Sequence, residues 1–485
     1  MPHHAIFDIP EICLHIAWHL APADLALACR VCRSWFVPFA SELWRSIKPD
    51  QWTHGSMDDA LPRYSTFIRE LSCSTFVPLN DMGPQCTRLT LLEVSIIGLD
   101  NIDIIDKILL RNPDLEVLSL RVVSLQNDSG VISIYKRMEY VRIVAGLRKL
   151  KKLSLGSFRV LPGALRYLLE QLPGLELLTI EGWTEEASHD LWMDPKSGLL
   201  LPAEPGAIEE PQVTDQQSAQ QLQQLQWQEE PLPRSLRSFH ADDCLLETIV
   251  KVIQVSPLLE SLLLSNNQSL VLSPELTQFC QQLRVHCPRL NQFSLYQSDV
   301  DIPGLQRLFS AYQSLKYFRA EDISISRHNL LLFLSRCLDT HHESLEEIYL
   351  DSNPGFFEQR ESSNQVLKIL RSFPALKKVS LGRCTIDAEE MVEGCSVVDG
   401  VIHNRLPFVC QNLELLQVTI RGPDRNWAPP HVFADEDILS QGEDEDEDED
   451  ERHNHDQFAL YDKVMDQLCK LPNLDTTTVS FTYKF

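Results

Sequence analysis

One short pattern, leucine-x-x-leucine-x-leucine, limits what this chain can fold into, because it returns along most of the length. Leu115-x-x-Leu118-x-Leu120 follows Pro113, and Leu175-x-x-Leu178-x-Ile180 follows Pro173. Leu259-x-x-Leu262-x-Leu264, Leu290-x-x-Phe293-x-Leu295 and Leu376-x-x-Val379-x-Leu381 follow Pro257, Pro288 and Pro374. Looser copies start at Leu89, Leu150, Leu236, Leu315, Leu345 and Leu413, so successive starts lie 23 to 37 residues apart, with one gap of 61. A motif at this period means a solenoid, in which each unit buries its apolar face against the next. Solenoids present long surfaces, and long surfaces suit macromolecular partners.

Within a unit the last residues of the motif alternate as a strand does. Amphipathic helices follow: Pro162–Gln171 carries Leu165, Leu168 and Leu169 at helical spacing, and Ile302–Phe309 carries Leu305, Leu308 and Phe309. The proline before each strand ends the preceding helix. The predicted unit is strand, loop, helix, proline, next strand. Stacking such units over residues 64–485 predicts an α/β solenoid, an irregular horseshoe with parallel strands inside and helices outside. The units resemble leucine-rich repeats of the longer type. Leu376-x-x-Val379-x-Leu381-x-x-Cys384 matches the full form, Leu236-x-x-Phe239-x-Ala241-x-x-Cys244 is a looser copy, and Leu259-x-x-Leu262-x-Leu264-x-x-Asn267 uses asparagine. Most other units lack a polar residue at that place.

Two polar tracts interrupt the array. Residues 185–233 are rich in Gln and Pro and account for the long gap; residues 421–456 include the acid run Glu443–Glu451. Such tracts bury too little apolar area to offset ordering entropy, so both are expected to be disordered loops on a continuous array. The net charge is −26, and Asp435–Glu451 alone holds twelve acids and no base. The remainder is still acidic, which argues against direct binding to nucleic acid phosphates. The 13 cysteines are scattered and odd in number, which fits free thiols in a reducing compartment better than a disulfide framework. No apolar run has transmembrane length, and the N-terminus lacks a signal peptide pattern. The expectation is a soluble protein of the cytoplasm or nucleus that does not bind membranes.

Residues 1–48 read as a separate all-α module. On a helix from Pro10, the residues Ile12, Ile16 and Leu20 form a stripe, flanked by Cys13, Ala17, Leu14 and Trp18. A second helix from Pro22 or Asp24 puts Leu25, Ala28, Cys29 and Cys32 on one face, and Pro38 is expected to end the segment. A module of about 40 residues cannot bury this much apolar surface alone, so the first repeats or another protein must cover the excess. The spacing resembles the F-box: Ile9-Pro10-Glu11-Ile12, Leu20 with Asp24-Leu25, Val31-Cys32-Arg33-Ser34-Trp35, and Leu43-Trp44, with Ile9 for the usual Leu. Leucine-rich repeats follow the F-box in one major class of these proteins. The resemblance implies the substrate receptor of a cullin-based SCF ubiquitin ligase, without catalysis of its own. The F-box docks on a Skp-type adaptor and the repeats hold a protein substrate. By that resemblance Pro10, Ile12, Ile16, Leu20, Leu25, Val31, Cys32 and Trp35 face the adaptor or support the helices that do.

No phosphate loop, nucleophile elbow or kinase motif is present. Cys29-x-x-Cys32 lacks the second pair a zinc site needs, and His15 and His19, one turn beyond Glu11, read as a solvated stripe. No cofactor or metal is expected. The residues between buried strand positions point outward. They include His240, Asp242, Ser261, Ser265, Gln292 and Tyr296, then Tyr317, Arg319, Glu321, Glu347, Tyr349 and Asp351. Tyr and Arg favour binding hot spots, so Tyr296, Tyr317, Arg319, Glu321, Glu347, Tyr349 and Asp351 are the candidate substrate site. Three acids to one base among its charged residues near the tyrosines predicts a basic recognition segment. The alternative is a repeat scaffold or inhibitor that binds partners without ubiquitination.

Overall fold

A computed structural model of the chain describes residues 9–48, 63–73, 86–97, 102–123, 131–157, 159–160, 163–185, 191–193, 200–202, 235–266, 270–312, 314–336, 341–351, 362–392, 395–398, 401–404, 408–422, 460–474 and 479–483. Most of both polar tracts, including the acid run, lies outside the described residues. The chain divides into two compact units, Met1–Leu258 and Leu259–Phe485.

In the first unit three helices, α1 (Pro10–Ala17), α2 (Pro22–Ala28) and α3 (Arg33–Leu43), precede a parallel sheet. Its strands follow in chain order: Ser46–Ile47, Glu70–Cys73, Leu91–Ile97, Val117–Val123, Lys152–Gly156, Leu177–Glu181 and Ser238–Asp242. The first strand comes from the end of the helical module: Ser46 pairs with Glu70 and Ile47 with Leu71. The second unit has its own strands Ser261–Ser265, Gln292–Tyr296, Tyr317–Glu321, Glu347–Asp351, Lys378–Asp387, Leu415–Gly422 and Ser480–Tyr483, parallel and in chain order. Leu177–Glu181 pairs directly with Ser238–Asp242, and Leu415–Gly422 with Ser480–Tyr483, so pairing resumes in phase across both tracts. Within the first tract Leu191–Met193 and Leu200–Pro202 pair antiparallel.

The motif leucines explain the stacking. Leu115, Leu118 and Leu120, and their equivalents Leu259, Leu262 and Leu264, are fully buried. Parallel strands are covered by helices on one face here, and alternation leaves the other face open. The helices end where the prolines require, at Arg111, Gln171, Gln254, His286 and Leu370. The helix expected from Pro162 is observed as Ala164–Gln171, and Pro162 itself lies outside the described residues. Asp301 caps Ile302–Ala311 by accepting from Gly304 N–H at 2.7 Å, and Ser273 caps Pro274–His286 by accepting from Leu276 N–H at 3.1 Å.

The turn after six of the described strands repeats one conformation. Ser157, Asp243, Asn266, Gln297 and Asp322 all have φ between 46° and 59°, and Gly182 has 55°. Ser157, Gly182, Asn266 and Gln297 each donate their N–H to the last strand residue of the next repeat: Glu181, Asp242, Tyr296 and Glu321. Gly, Asn and Asp occupy four of the six positions because they tolerate the left-handed region. Two residues beyond the strand lies the site of the polar consensus residue. Cys244 fills it with a buried thiol that donates to Asp242 O at 3.2 Å. Ser298 fills the same place, buried, donating to Tyr296 O at 3.0 Å. Trp183 and Ile323, both buried, fill it with larger apolar side chains.

Before most strands runs an alternating ladder of charge that the leucine pattern conceals; Thr90 and Asn291 are its neutral exceptions. The residue after the first motif leucine is Glu116, Lys151, Glu176 and Arg237 in successive repeats of the first unit. In the second unit it is Glu260, Asn291, Lys316, Glu346, Lys377 and Glu414. Lys151 pairs with Glu116 at 2.8 Å, and Glu346 sits between Lys316 at 3.0 Å and Lys377 at 2.6 Å.

Candidate functional site

The helical module packs around Cys13, Ala17, Leu25, Ala28 and Phe39, with Ile16, Leu20, Cys29, Trp35 and Leu43 against them. The buried line of α1 is therefore Cys13 and Ala17, not the stripe Ile12, Ile16 and Leu20. The physical reason is size: a thiol and a methyl let α3 approach closely with Phe39 and Ala40, both 1% exposed. Pro38 does not end the segment. It lies buried inside α3, which runs to Leu43, and Ser41 Oγ donates to its carbonyl at 2.7 Å. A proline inside a helix costs roughly 3 kcal/mol, and burial of α3 offsets it here. Trp44 stacks on Tyr64 at 4.5 Å, so the start of the repeats covers one end of the module. The rest of the apolar excess stays open: Trp18 is 59% exposed, Leu27 61%, Val31 62% and Val37 56%.

In the second unit the open strand face gathers most of the expected substrate residues. Arg319 lies opposite Tyr349 in register, and Tyr317 opposite Glu347. The rings of Tyr317 and Tyr349 meet at 5.4 Å. Tyr349 donates to Glu347 Oε2 at 3.1 Å, and burial, then the Glu347 charge, push its hydroxyl up to about 12. Arg319 donates to Glu321 at 2.6 and 2.8 Å. Lys378, absent from the sequence reading, bonds Glu347 at 3.1 Å. It stands opposite Glu347 in register, a placement made by the stacked strands. The excess of acid over base is thus smaller than the residues between Tyr296 and Asp351 indicate. Tyr296 is exposed and makes no ring contact with another described residue. Asp351 ends its strand opposite Glu321. Ser265, expected to face outward, is buried, because the chain turns at Asn266 directly after it.

The first unit holds a groove of about 400 Å³ on its open strand face, which sequence reasoning missed. In register across four strands stand Ser72, Glu93, Ser119 and Ser154. The next row is Ser95, Arg121, Gly156 and Glu181. Arg121 reaches over Gly156 to bond Glu181, and this bond and the Glu181 charge raise the guanidinium's pKa. A Cβ on Gly156 would stand 3.0 Å from Arg121 Cγ and 3.3 Å from Glu181 Oε2, so glycine is what lets the bridge form. The signal was present as small outward residues, Ser119, Ser154 and Gly156, in consecutive repeats.

Burial pushes the thiols of Cys86, Cys244 and Cys410 up to about 11, and those of Cys280 and Cys287 to about 12, which keeps them protonated. Among the described residues no three His, Cys, Asp or Glu side chains group as metal ligands. No described helix is long and apolar enough to cross a membrane.

Comparison with known proteins bears on the helical module first. Residues 10–49 match the F-box-like family model. The module is F-box-like. No curated protein matches the sequence. Two solved structures are similar to the chain. One is a Bacteroides fragilis protein at 13% identity, covering 54% of this chain and 68% of its own, with a TM-score of 0.30. The other is a Leptospira interrogans leucine-rich-repeat protein at 12% identity, covering 75% of this chain and 81% of its own, with a TM-score of 0.27.

The F-box-like module sorts the residues expected at an adaptor. Pro10, Val31 and Cys32 are exposed. Ile12 is half-buried, and Ile16, Leu20 and Trp35 are half-buried against the module's core, Trp35 with its ring 5.3 Å from Phe39. Leu25 is 5% exposed and supports the helices from inside. Cys32 is not on the apolar face of α2; it precedes α3, with Sγ 3.1 Å from Ser34 Oγ. Cys29 stays on that face, and burial raises its thiol's pKa. Trp18, Leu27 and Val37 join the exposed surface and were missed. Trp18 follows α1 off the stripe that Ile12 and Ile16 define, while Leu27 belongs to α2 and Val37 to α3, each outside the module's core.

Proposed function

We propose that this protein is the substrate-recognition subunit of an SCF-type ubiquitin ligase. The F-box-like module binds a Skp-type adaptor, and through it a cullin, while the leucine-rich repeats bind a protein substrate. The observation that carries this reading is the F-box-like match over residues 10–49 on a module that leaves Trp18, Leu27, Val31 and Val37 uncovered. Large apolar side chains open to solvent on so small a module favour a partner's hydrophobic groove. The repeats act by proximity: a bound substrate is held at high effective concentration near a recruited conjugating enzyme. The substrate contacts in this reading are Tyr296, Tyr317, Arg319, Glu321, Glu347, Tyr349 and Asp351.

Binding of the purified chain to a Skp-type adaptor tests the first half. Leu27→Asp with Val31→Asp should weaken binding at least tenfold and leave the melting temperature unchanged, because both side chains are more than half exposed. Trp35→Ala is a poorer probe, since Trp35 packs on the module's core. A wild-type chain that does not bind the adaptor removes the ligase reading and leaves a repeat scaffold that binds partners without ubiquitination.

A further inference from the structure

The two open strand faces differ in one respect that bears on ligands. In the second unit the outward side chains bond each other: Arg319 to Glu321, Tyr349 and Lys378 to Glu347, and Ser380 to Gln417 at 2.7 Å. In the groove of the first unit, Ser72, Ser95, Ser119 and Ser154 are half-buried and make no side-chain hydrogen bond to another described residue. Glu93 is exposed among them and has no ion-pair partner among the described residues. The other carboxylate of the lining, Glu181, is already held by Arg121.

We propose that this groove receives an extended segment of a partner protein, small residues lying over Ser119 and Ser154 and a lysine or arginine reaching Glu93. The proposal rests on the reading of the repeats as a protein-binding array, and is independent of the adaptor. Three features select this occupant. Hydroxyls both donate and accept, so a row of them at strand spacing suits the amides of an extended chain. Floor side chains this small leave room for backbone to approach, and the Arg121–Glu181 bridge over Gly156 closes one side. The one lining carboxylate without an ion-pair partner among the described residues calls for one cation, in a chain whose net charge of −26 already attracts basic partners. Length follows from geometry. The lining spans four strand-to-strand steps of about 4.8 Å each, roughly 19 Å, which an extended chain covers in about six residues.

Three labelled hexapeptide pools test the proposal. Each is random in Gly, Ala and Ser except at the third position, which is Lys, Glu or norleucine, and binding to the full chain is read by fluorescence anisotropy. The Lys pool should bind at least tenfold more tightly than either other pool. Glu93→Lys should reverse the preference to the Glu pool. Ser154→Trp, which fills the floor, should abolish binding, and Tyr317→Ala with Tyr349→Ala should leave it unchanged. Equal binding of the Lys and norleucine pools, no binding of the Lys pool at millimolar concentration, or full binding by Ser154→Trp would overturn it. If Ser154→Trp fails to fold, the reversal by Glu93→Lys, at an exposed position, decides alone. Adaptor binding measured on the same protein keeps the two readings apart. A chain that takes the Lys pool but not the adaptor loses the ligase function and keeps the groove.

Discussion

The two units build their sheets from the same repeat, yet they tie them together with different chemistry. In the first unit Asn112, buried at the end of a helix, accepts from Leu89 N–H at 2.7 Å and donates to Cys86 O at 2.8 Å and Ile108 O at 2.7 Å. In the second unit His341 holds the matching place. It accepts from Leu315 N–H at Nδ1, at 3.4 Å, and its Nε2 faces Phe309 O at 3.0 Å. Since Nδ1 accepts, Nε2 must carry the proton and donate. The amide serves at any pH, whereas the imidazole serves only when neutral. The open faces differ too: the groove serines and Glu93 of the first unit bond no other described side chain, whereas in the second unit Arg319 bonds Glu321 and Lys378 bonds Glu347. A common repeat thus sets backbone and core, while a few non-repeating side chains set what each unit responds to.

The largest test breaks both ties. His341→Ala leaves Leu315 N–H and Phe309 O buried without that partner and should cost roughly 2–4 kcal/mol. Asn112→Ala removes three bonds and should cost at least as much. Hydrogen exchange resolved by peptide should place each loss mainly in its own unit. Loss of equal size in both units for either variant would mean the ties are not local.

Acidification should separate the two ties next. Burial lowers the pKa of His341 below the ordinary imidazole value of about 6.5. A lowered folded-state value means the unfolded chain binds more protons, so stability falls as pH drops. The contribution is whole above the unfolded value, and it is lost as pH falls from there through the folded one. Exchange near Leu315 should quicken as pH is lowered from 7 to 5, after correction for intrinsic rates, and exchange near Leu89 should not. His341→Asn should flatten the dependence near Leu315; an unchanged slope would assign it to His286, whose pKa burial also lowers.

Smaller effects distinguish the open faces. Tyr317→Ala with Tyr349→Ala removes a ring contact and the bond to Glu347, and should lower stability by about 1 kcal/mol. Ser119→Ala with Ser154→Ala should change it by no more than about 0.5 kcal/mol, because those hydroxyls bond no other described residue. A loss above that from the serine pair, read in denaturant melts, would show that the groove is braced internally and not open to a ligand.

Much of this was legible in the chain. The repeat named its own strands, since Leu, Phe or Val at three fixed positions fills a layer that only a neighbouring repeat can cover, and pairing across both polar tracts obeyed it. The F-box resemblance located the helical module and its exposed Pro10 and Val31. Which side chains of α1 turn inward was not legible there, because Ile12, Ile16, Cys13 and Ala17 are all apolar. Size decided it, and size matters only once α3 lies against α1 with Phe39 between them. Pro38 inside α3 misled for the same reason: local preference says stop, and burial of that helix overrides it.

The sequence by itself determined the repeat, its parallel order and the residues of the core, because periodic apolar positions have one way to be buried together. It also determined the alternating charges before most strands, which need no fold to be read. Tertiary structure alone decided partnership across strands. Lys378 meets Glu347 from 31 residues away, Arg121 meets Glu181 over Gly156 from 60, and Glu93 meets no described partner. Register brings such residues together, and register is a property of the stacked sheet and not of any one repeat.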